Sequence, residues 1–217
     1  VQRLQILLSK QSPEEFNHSK LQILSELTRL RQLCCDPSLL YENYSAGSAK
    51  LDLCIDLIQN ATVSGHKMLV FSQFTTMLDL IADRLKKADI PFFLLTGSTS
   101  KQERIRLVTE FNQDDIPVFL ISLKAGGTGL NLTAADIVIH YDPWWNTAVQ
   151  NQATDRAHRI GQKNRVLVYK LIAKNSIEEN IIKLQEQKAE LAEQILSGDT
   201  LGNASFSKEE LLELLQL

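Results

Sequence analysis

Across the middle of this chain, short apolar runs alternate with longer amphipathic stretches. The runs are Lys67 to Phe71, Pro91 to Leu95, Pro117 to Ile121, Asp136 to Tyr141 and Arg165 to Ile172, and their length and continuous hydrophobicity predict five strands. Between them the apolar positions recur at helical spacing. Lys50 to Val63 carries Leu51, Leu53, Cys54, Leu57 and Ile58; Thr75 to Lys87 is amphipathic; a third helix opens at Ser100, where Glu103 completes a capping box; a fourth runs from Asn146 to Ile160. Strands that are apolar throughout are buried on both faces. The order therefore predicts an α/β fold, a doubly wound parallel sheet flanked by helices.

Two helical regions flank this core. In residues 1–48, Leu21, Leu24, Leu27 and Leu30 predict one apolar helical face, ended by Asp36-Pro37, with a connector from Tyr41 to Ser48. In residues 175–217, Ser176 with Glu179 caps a long helix whose stripe is Ile177, Ile181, Leu184, Lys188, Leu191 and Ile195. Gly198 to Ser205 reads as a link, and Ser207 with Glu210 caps a last leucine-rich helix. The domain reading is a helical lead-in at 1–48, an α/β core at 49–174 and a helical extension at 175–217.

Composition narrows the class. Hydrophobic residues make up 44% of 217, enough for one large core, and no run is long enough to span a bilayer. No leader for secretion opens the chain, and Val1 in place of Met is read as the start of a fragment. The expectation is an intracellular protein. Cys34, Cys35 and Cys54 have no metal-ligand spacing, and Cys34 and Cys35 are too close to bridge, so all three read as thiols and no metal site is expected. The net charge of −3 excludes a uniformly basic nucleic-acid binder and confines any such contact to a local patch. Charge is segregated: Gln150 to Lys174 holds six Lys or Arg against Asp155 alone, whereas Asn175 to Leu217 holds nine acidic residues and three basic ones.

In an open parallel sheet, ligands bind beyond the carboxyl ends of the strands. The loops there are Ser72-Gln73-Phe74, Thr96-Gly97-Ser98-Thr99, Ser122 to Thr133 and Asp142-Pro143-Trp144-Trp145-Asn146. The third contains Lys124-Ala125-Gly126-Gly127-Thr128-Gly129, where glycines let backbone N–H groups approach a phosphate and Lys124 adds charge. The same glycines also suit a plain tight turn. A dinucleotide fingerprint fits poorly, because Gly127-Thr128-Gly129 lacks a third glycine at the right spacing. The double tryptophan is the chain's whole tryptophan content, and two in a row on a loop do not both reach one core. On a regular helix, Gln152, Arg156 and Arg159 share a face, and two adjacent guanidiniums either sit solvated or share an anion. The functional form of the second case is a pair of arginine fingers on a transferring phosphate. The chain has neither a Gly-Lys pair nor an Asp-Glu pair, so the cradle for that phosphate and its Mg²⁺ must lie on another domain.

Gln152 to Gln162, with its Asp-Arg-Ala-His-Arg-Ile-Gly-Gln core, resembles motif VI of the SWI/SNF-type remodelling ATPases, a branch of superfamily two helicases. Ser122 to Leu132 resembles motif V, Asp142 to Asn146 the segment after it, Val70 to Phe74 motif IV, and Gly97-Ser98-Thr99 the phosphate-contact loop that follows. Leu30 to Cys34 with Asp36-Pro37 resembles the lead-in of the C-terminal RecA-like lobe, and Ser176 to Glu179 with its helix resembles the brace after it. Thr96 stands where this family often has an acidic residue, and Thr147 where proline is common.

The resemblance implies a second motor lobe of an ATP-dependent double-stranded-DNA translocase, DNA-associated in a nucleus or nucleoid. It implies that Arg156 and Arg159 reach the γ-phosphate of ATP, held with Mg²⁺ by an N-terminal RecA-like lobe of the same protein. Gln152, Gly127 and Gly129 would couple nucleotide to grip. Ser72, Gln73, Gly97, Ser98, Lys124, Thr128, Trp144 and Trp145 would contact DNA, with protein–DNA complexes as further substrates. The chain alone is expected to be inactive as an ATPase. The competing readings are a phosphate- or nucleic-acid-binding module without hydrolysis, and a scaffold that docks a partner through its C-terminal helices.

Overall fold

A computed structural model describes residues 13–126, 129–157, 165–195, 212 and 215. The chain divides into two units, Cys35–Ile172 and a second formed by Val1–Cys34 with Ala173–Leu217.

The larger unit is built on five parallel strands: β1 (Met68–Ser72), β2 (Phe92–Leu95), β3 (Val118–Ser122), β4 (Ile137–His140) and β5 (Leu167–Lys170). Their order is β2-β3-β1-β4-β5. All five match the apolar runs read from the sequence. The three inner strands are buried along their whole length, as strands covered on both faces must be. The edge strands are more open, and every residue of β5 is exposed.

Helices cover both faces. With α1 reserved for the lead-in helix of the other unit (Pro13–Cys35), the flanking helices are α2 (Ala49–Val63), α3 (Thr75–Lys87), α4 (Lys101–Gln113), the single turn α5 (Leu123–Gly126) and α6 (Thr147–Thr154). Side chains alternate across a strand, so neighbouring strand residues feed opposite cores. Met68 and Val70 pack with Ile58 of α2 and Met77, Ile81 and Leu85 of α3. Leu69 and Phe71 pack with Leu107 and Phe111 of α4 and Ala153 of α6.

Local capping sets several helix starts. Ser48 Oγ accepts from Leu51 N at α2, Ser100 Oγ from Glu103 N at α4, and Asn146 Oδ1 from Ala148 N at α6. The Glu103 carboxylate is not seen returning to Ser100; it pairs with Arg106 one turn on. The connector ahead of α2 is pinned to the sheet, because the Cys35 carbonyl accepts from both Tyr141 Oη (2.9 Å) and Ser48 Oγ (3.1 Å). Cys34, Cys35 and Cys54 are not in disulfides, and burial pushes the Cys54 thiol up to about 12.

The smaller unit contains α1 and α7 (Ile177–Ile195). In α1 the inward positions are Ile23, Leu27 and Arg31, while Leu21 is 82% exposed. This corrects the expected leucine face. A strict spacing of three turns back by about 60° per step on an α-helix, so Leu21 and Leu30 end on opposite sides; a spacing of four drifts less. In α7, Ile177, Ile181 and Leu184 are buried as the stripe requires. Ser176 Oγ accepts from Glu178 N, and Glu179 reaches back to Asn175 N. The side chains of Lys188, Leu191 and Ile195 lie outside the described residues, as do the 198–205 link and the Ser207 cap. Among the described residues, no helix is long and apolar enough to cross a membrane.

Candidate functional site

The chain leaves β1 for β2 in one direction and leaves β3 for β4 in the other. Adjacent exit loops therefore diverge at the carboxyl edge of the sheet, where open α/β sheets take their ligands. The sequence motifs fall on these loops.

The loop after β1 is tied to the loop after β4. Ser72 Oγ donates to Asp142 Oδ1 at 2.5 Å, Gln73 N donates to the same oxygen at 3.2 Å, and Phe74 N donates to Ser72 Oγ at 3.1 Å. Ser72 is 1% exposed and Asp142 is 4% exposed. In this arrangement the Ser72 hydroxyl, expected to contact DNA, is engaged with Asp142 inside the protein. Gln73 is half-buried, and its Nε2 has no hydrogen-bond partner among the described residues.

After β2, Thr96 N donates to Thr99 Oγ1 at 3.0 Å, and Thr96 Oγ1 lies 2.8 Å from Ser98 Oγ. This compact turn leaves Gly97 and Ser98 exposed, as a backbone contact site needs. Thr99 shares an open groove of about 650 Å³ with Arg104, Val108, Gly129 and Leu130, so this turn and the Gly-rich segment border one space.

The Gly-rich segment begins as α5, with Ser122 Oγ accepting from Ala125 N. Lys124 is exposed on this turn, and Gly129 is exposed with φ +51°, a backbone region that favours glycine. Gly127 and Thr128 lie outside the described residues. The segment is held at both ends from α4. Arg104 Nη1 donates to the Ala125 carbonyl at 3.0 Å, and Asn112 bonds Asn131 O and Ala134 N. Leu132 N donates to the Arg156 carbonyl at 3.0 Å, joining the Gly-rich segment to the arginine region.

After β4, Trp144 and Trp145 are both half-buried, and Trp144 packs against the core beneath α4 and α6. Trp144 N donates to Oε1 of buried Gln150. Neither ring is therefore a wholly solvent-facing plate.

The arginine region departs from the expected helix. α6 ends at Thr154, and a tighter turn follows in which Arg156 N and Ala157 N bond back to Ala153 O and Thr154 O. The regular spacing that placed Gln152 and Arg156 on one face is lost. Gln152 is exposed, whereas Arg156 is 2% exposed. The expectation of two guanidiniums both facing open space is thus corrected for Arg156. The cause is tertiary: the Leu132 bond and the burial of Ala157 fix this turn against the sheet. Arg159 and His158 lie outside the described residues.

His140 helps hold that turn. Its ring stacks on Phe71 at 5.6 Å, and Nε2 lies 2.9 Å from Thr154 Oγ1 at the end of α6. Burial, aided by the Lys170 charge, pulls its pKa down to about 4. Between that value and the ordinary 6.5, the unfolded chain binds the proton and the folded one does not. Stability is therefore complete above about pH 6.5 and falls as pH drops toward 4. Thermal melts from pH 7 to 4 should show this decline, and His140→Phe should flatten it; an unchanged slope in that variant would remove the assignment.

Sequence reading did not single out Asp142, Arg104, Asn112 or Gln150. Only Asp142 had a signal, a carboxylate at a buried strand's end followed by Pro143.

Residues 49–161 match the family model for the helicase conserved C-terminal domain. The chain belongs to that family. This helicase C-terminal domain is 44% identical to an uncharacterized ATP-dependent helicase of Mycoplasma pneumoniae over 91% of the chain and 19% of that protein. It is 41% identical to the chromatin-remodelling ATPase INO80 of Homo sapiens over 80% of the chain and 11% of that protein. Among solved structures it resembles the Sulfolobus solfataricus SWI2/SNF2 ATPase core in complex with dsDNA, with TM-score 0.75, 32% identity and coverage of 100% of the chain and 46% of that one. The C-terminal domain of the same archaeal protein, solved by itself, matches with TM-score 0.72, 31% identity and coverage of 96% and 86%. The helicase C-terminal domain is RecA-like and of SWI2/SNF2 type, and it spans about a fifth of the length of the bacterial relatives it matches.

Proposed function

We propose that this chain is the second motor lobe of an ATP-dependent translocase on double-stranded DNA. The observation that carries this reading is the gathering of motifs IV, V and VI and the double-tryptophan segment at one edge of a parallel sheet, cross-linked by the Ser72–Asp142 and Leu132–Arg156 bonds. That the archaeal relative was solved as an ATPase core with dsDNA supports the choice of polymer.

The substrate is ATP with Mg²⁺, held mainly by an N-terminal lobe, since the chain lacks both a Gly-Lys pair and an Asp-Glu pair. Arg159 supplies a guanidinium to the γ-phosphate and stabilises its charge during transfer. Arg156 joins it only by leaving its buried position as the lobes close. Exposed Gln152, with the backbone at Gly127 and Gly129, links nucleotide state to grip on DNA. Gln73, Gly97, Ser98, Lys124 and Thr128 contact phosphates of one strand, and Trp144 and Trp145 contact DNA or couple the lobes. Closure on ATP and opening after hydrolysis then move the lobes along the duplex, and DNA-bound proteins are further substrates.

The test compares this chain, the N-terminal lobe and the full-length protein. Negligible ATP turnover by either part and DNA-stimulated turnover by the whole is the expected result. Turnover by this chain alone, or a full-length protein indifferent to duplex DNA, would reject the reading.

A further inference from the structure

We propose that Asp142 is a positioning residue that locks the β1 exit loop to the β4 exit loop, so that Gln73 and the double tryptophan engage DNA as one unit. The inference rests on the motor reading and goes beyond it by naming a residue that touches neither nucleotide nor DNA.

The geometry is specific. One carboxylate oxygen receives the Ser72 hydroxyl at 2.5 Å and the Gln73 backbone N–H at 3.2 Å, and the same Ser72 oxygen receives the Phe74 N–H. Bonds to an ionised acceptor are short and strong, and a site shielded from water strengthens them further. Ser72 and Asp142 are 70 residues apart in sequence, yet β1 and β4 are direct neighbours in the sheet, with Phe71 opposite His140. The strand pairing therefore delivers both loop starts to the same height, and the Asp142 carboxylate, two residues beyond His140, closes on Ser72, one residue beyond Phe71.

The two tied loops carry different groups. Gln73 follows Ser72 directly, and its Nε2 lies buried without a hydrogen-bond partner among the described residues. Buried amides are rarely left this way, so this atom gains a partner when the loop shifts or a ligand arrives. Trp144 follows Asp142 after a single proline, and Trp144 N is held by Gln150 of α6. A displacement of α6 and its arginine turn is thus passed through Trp144 and Asp142 to Gln73. The tether runs from the motif VI side to the motif IV side through the Gln150–Trp144 bond, the Asp142-Pro143-Trp144 backbone and the bonds of Asp142 to Ser72 and Gln73.

The test uses the full-length protein, in which the ATP site is complete. Asp142→Ala and Ser72→Ala, singly and together, are compared for the DNA concentration that half-saturates ATP turnover and for the KM for ATP. Losing a bond to a charged acceptor predicts a rise of about tenfold in half-saturating DNA for each single variant. The KM for ATP should stay within about twofold, and the double variant should be no worse than Asp142→Ala, because both changes remove one interaction. Amide exchange at Gln73 and Phe74, measured without DNA or nucleotide, should accelerate in the same variants. If Asp142→Ala does not fold, Asp142→Asn with Ser72→Ala carries the comparison, since both nearly preserve side-chain shape. Additive effects, or faster exchange with unchanged half-saturating DNA, would overturn the assignment. A wild-type protein without DNA-stimulated turnover would instead overturn the motor reading, and this assignment with it.

Discussion

Arg159→Ala in the full-length protein should lower DNA-stimulated ATP turnover by ~10³-fold while leaving the melting temperature of the lobe near that of wild type. A phosphoryl group in transfer spreads charge over its equatorial oxygens, and a guanidinium fork meets two of them at once. The other guanidinium of Gln152–Gln162 belongs to Arg156, which is 2% exposed and whose carbonyl is held by Leu132 N. Arg159→Lys should recover little, since an ammonium keeps the charge but loses the planar pair of donors. Arg156→Ala should behave differently and lower stability as well as turnover, because it empties a buried position. Stopped-flow phosphate release with and without duplex DNA, alongside thermal melts, separates these outcomes. Ordinary turnover by Arg159→Ala would remove the finger assignment.

Phe119→Ala should destabilise the larger unit by about 3–5 kcal/mol, a large share of the stability of a typical domain. Phe119 is fully buried in β3, with ring centroids 5.2 Å from Phe111 and 5.8 Å from Phe93. Truncation removes apolar surface and leaves a cavity that the neighbouring strands β1 and β2, held by the sheet pairing, cannot fill. The measurement is the midpoint of chemical unfolding at unchanged denaturant slope. Phe111 lies on α4, the helix that holds the Gly-rich segment through Arg104 and Asn112. The response to DNA should therefore weaken under conditions in which the fold persists. A loss below about 1 kcal/mol would mean that α4 settles into the gap. Leu53→Ala, at a position 51% exposed on α2, should shift the midpoint little.

The strand pattern was legible because inner strands covered on both faces are apolar along their length, as Met68 to Phe71 and Val118 to Ile121 are before each strand ends in a serine. The helix starts at Ser48, Ser100 and Asn146 rest on bonds between near neighbours, which local composition specifies. The loops were placed at the carboxyl edge for the same reason, since each follows directly from a strand. The family likeness in motif VI came from a run of residues whose order alone is distinctive.

What the chain's order could not decide is where side chains go once distant elements meet. Ser72 reads as a surface donor until β1 and β4 pair and bring Asp142 beneath it. Arg156 reads as a partner of Gln152 on a helical face until Leu132 takes its carbonyl and the turn tightens. Leu21 reads as core until the helix chooses Ile23 and Leu27 to face inward. In each case the local period is a weak preference of a few tenths of a kcal/mol per residue, and burial against another element is worth more. Sequence by itself determined the layers of this domain and the sheet edge at which its motif loops gather. Tertiary packing decided which of the polar residues on that edge hold the loops in place and which remain open to a ligand.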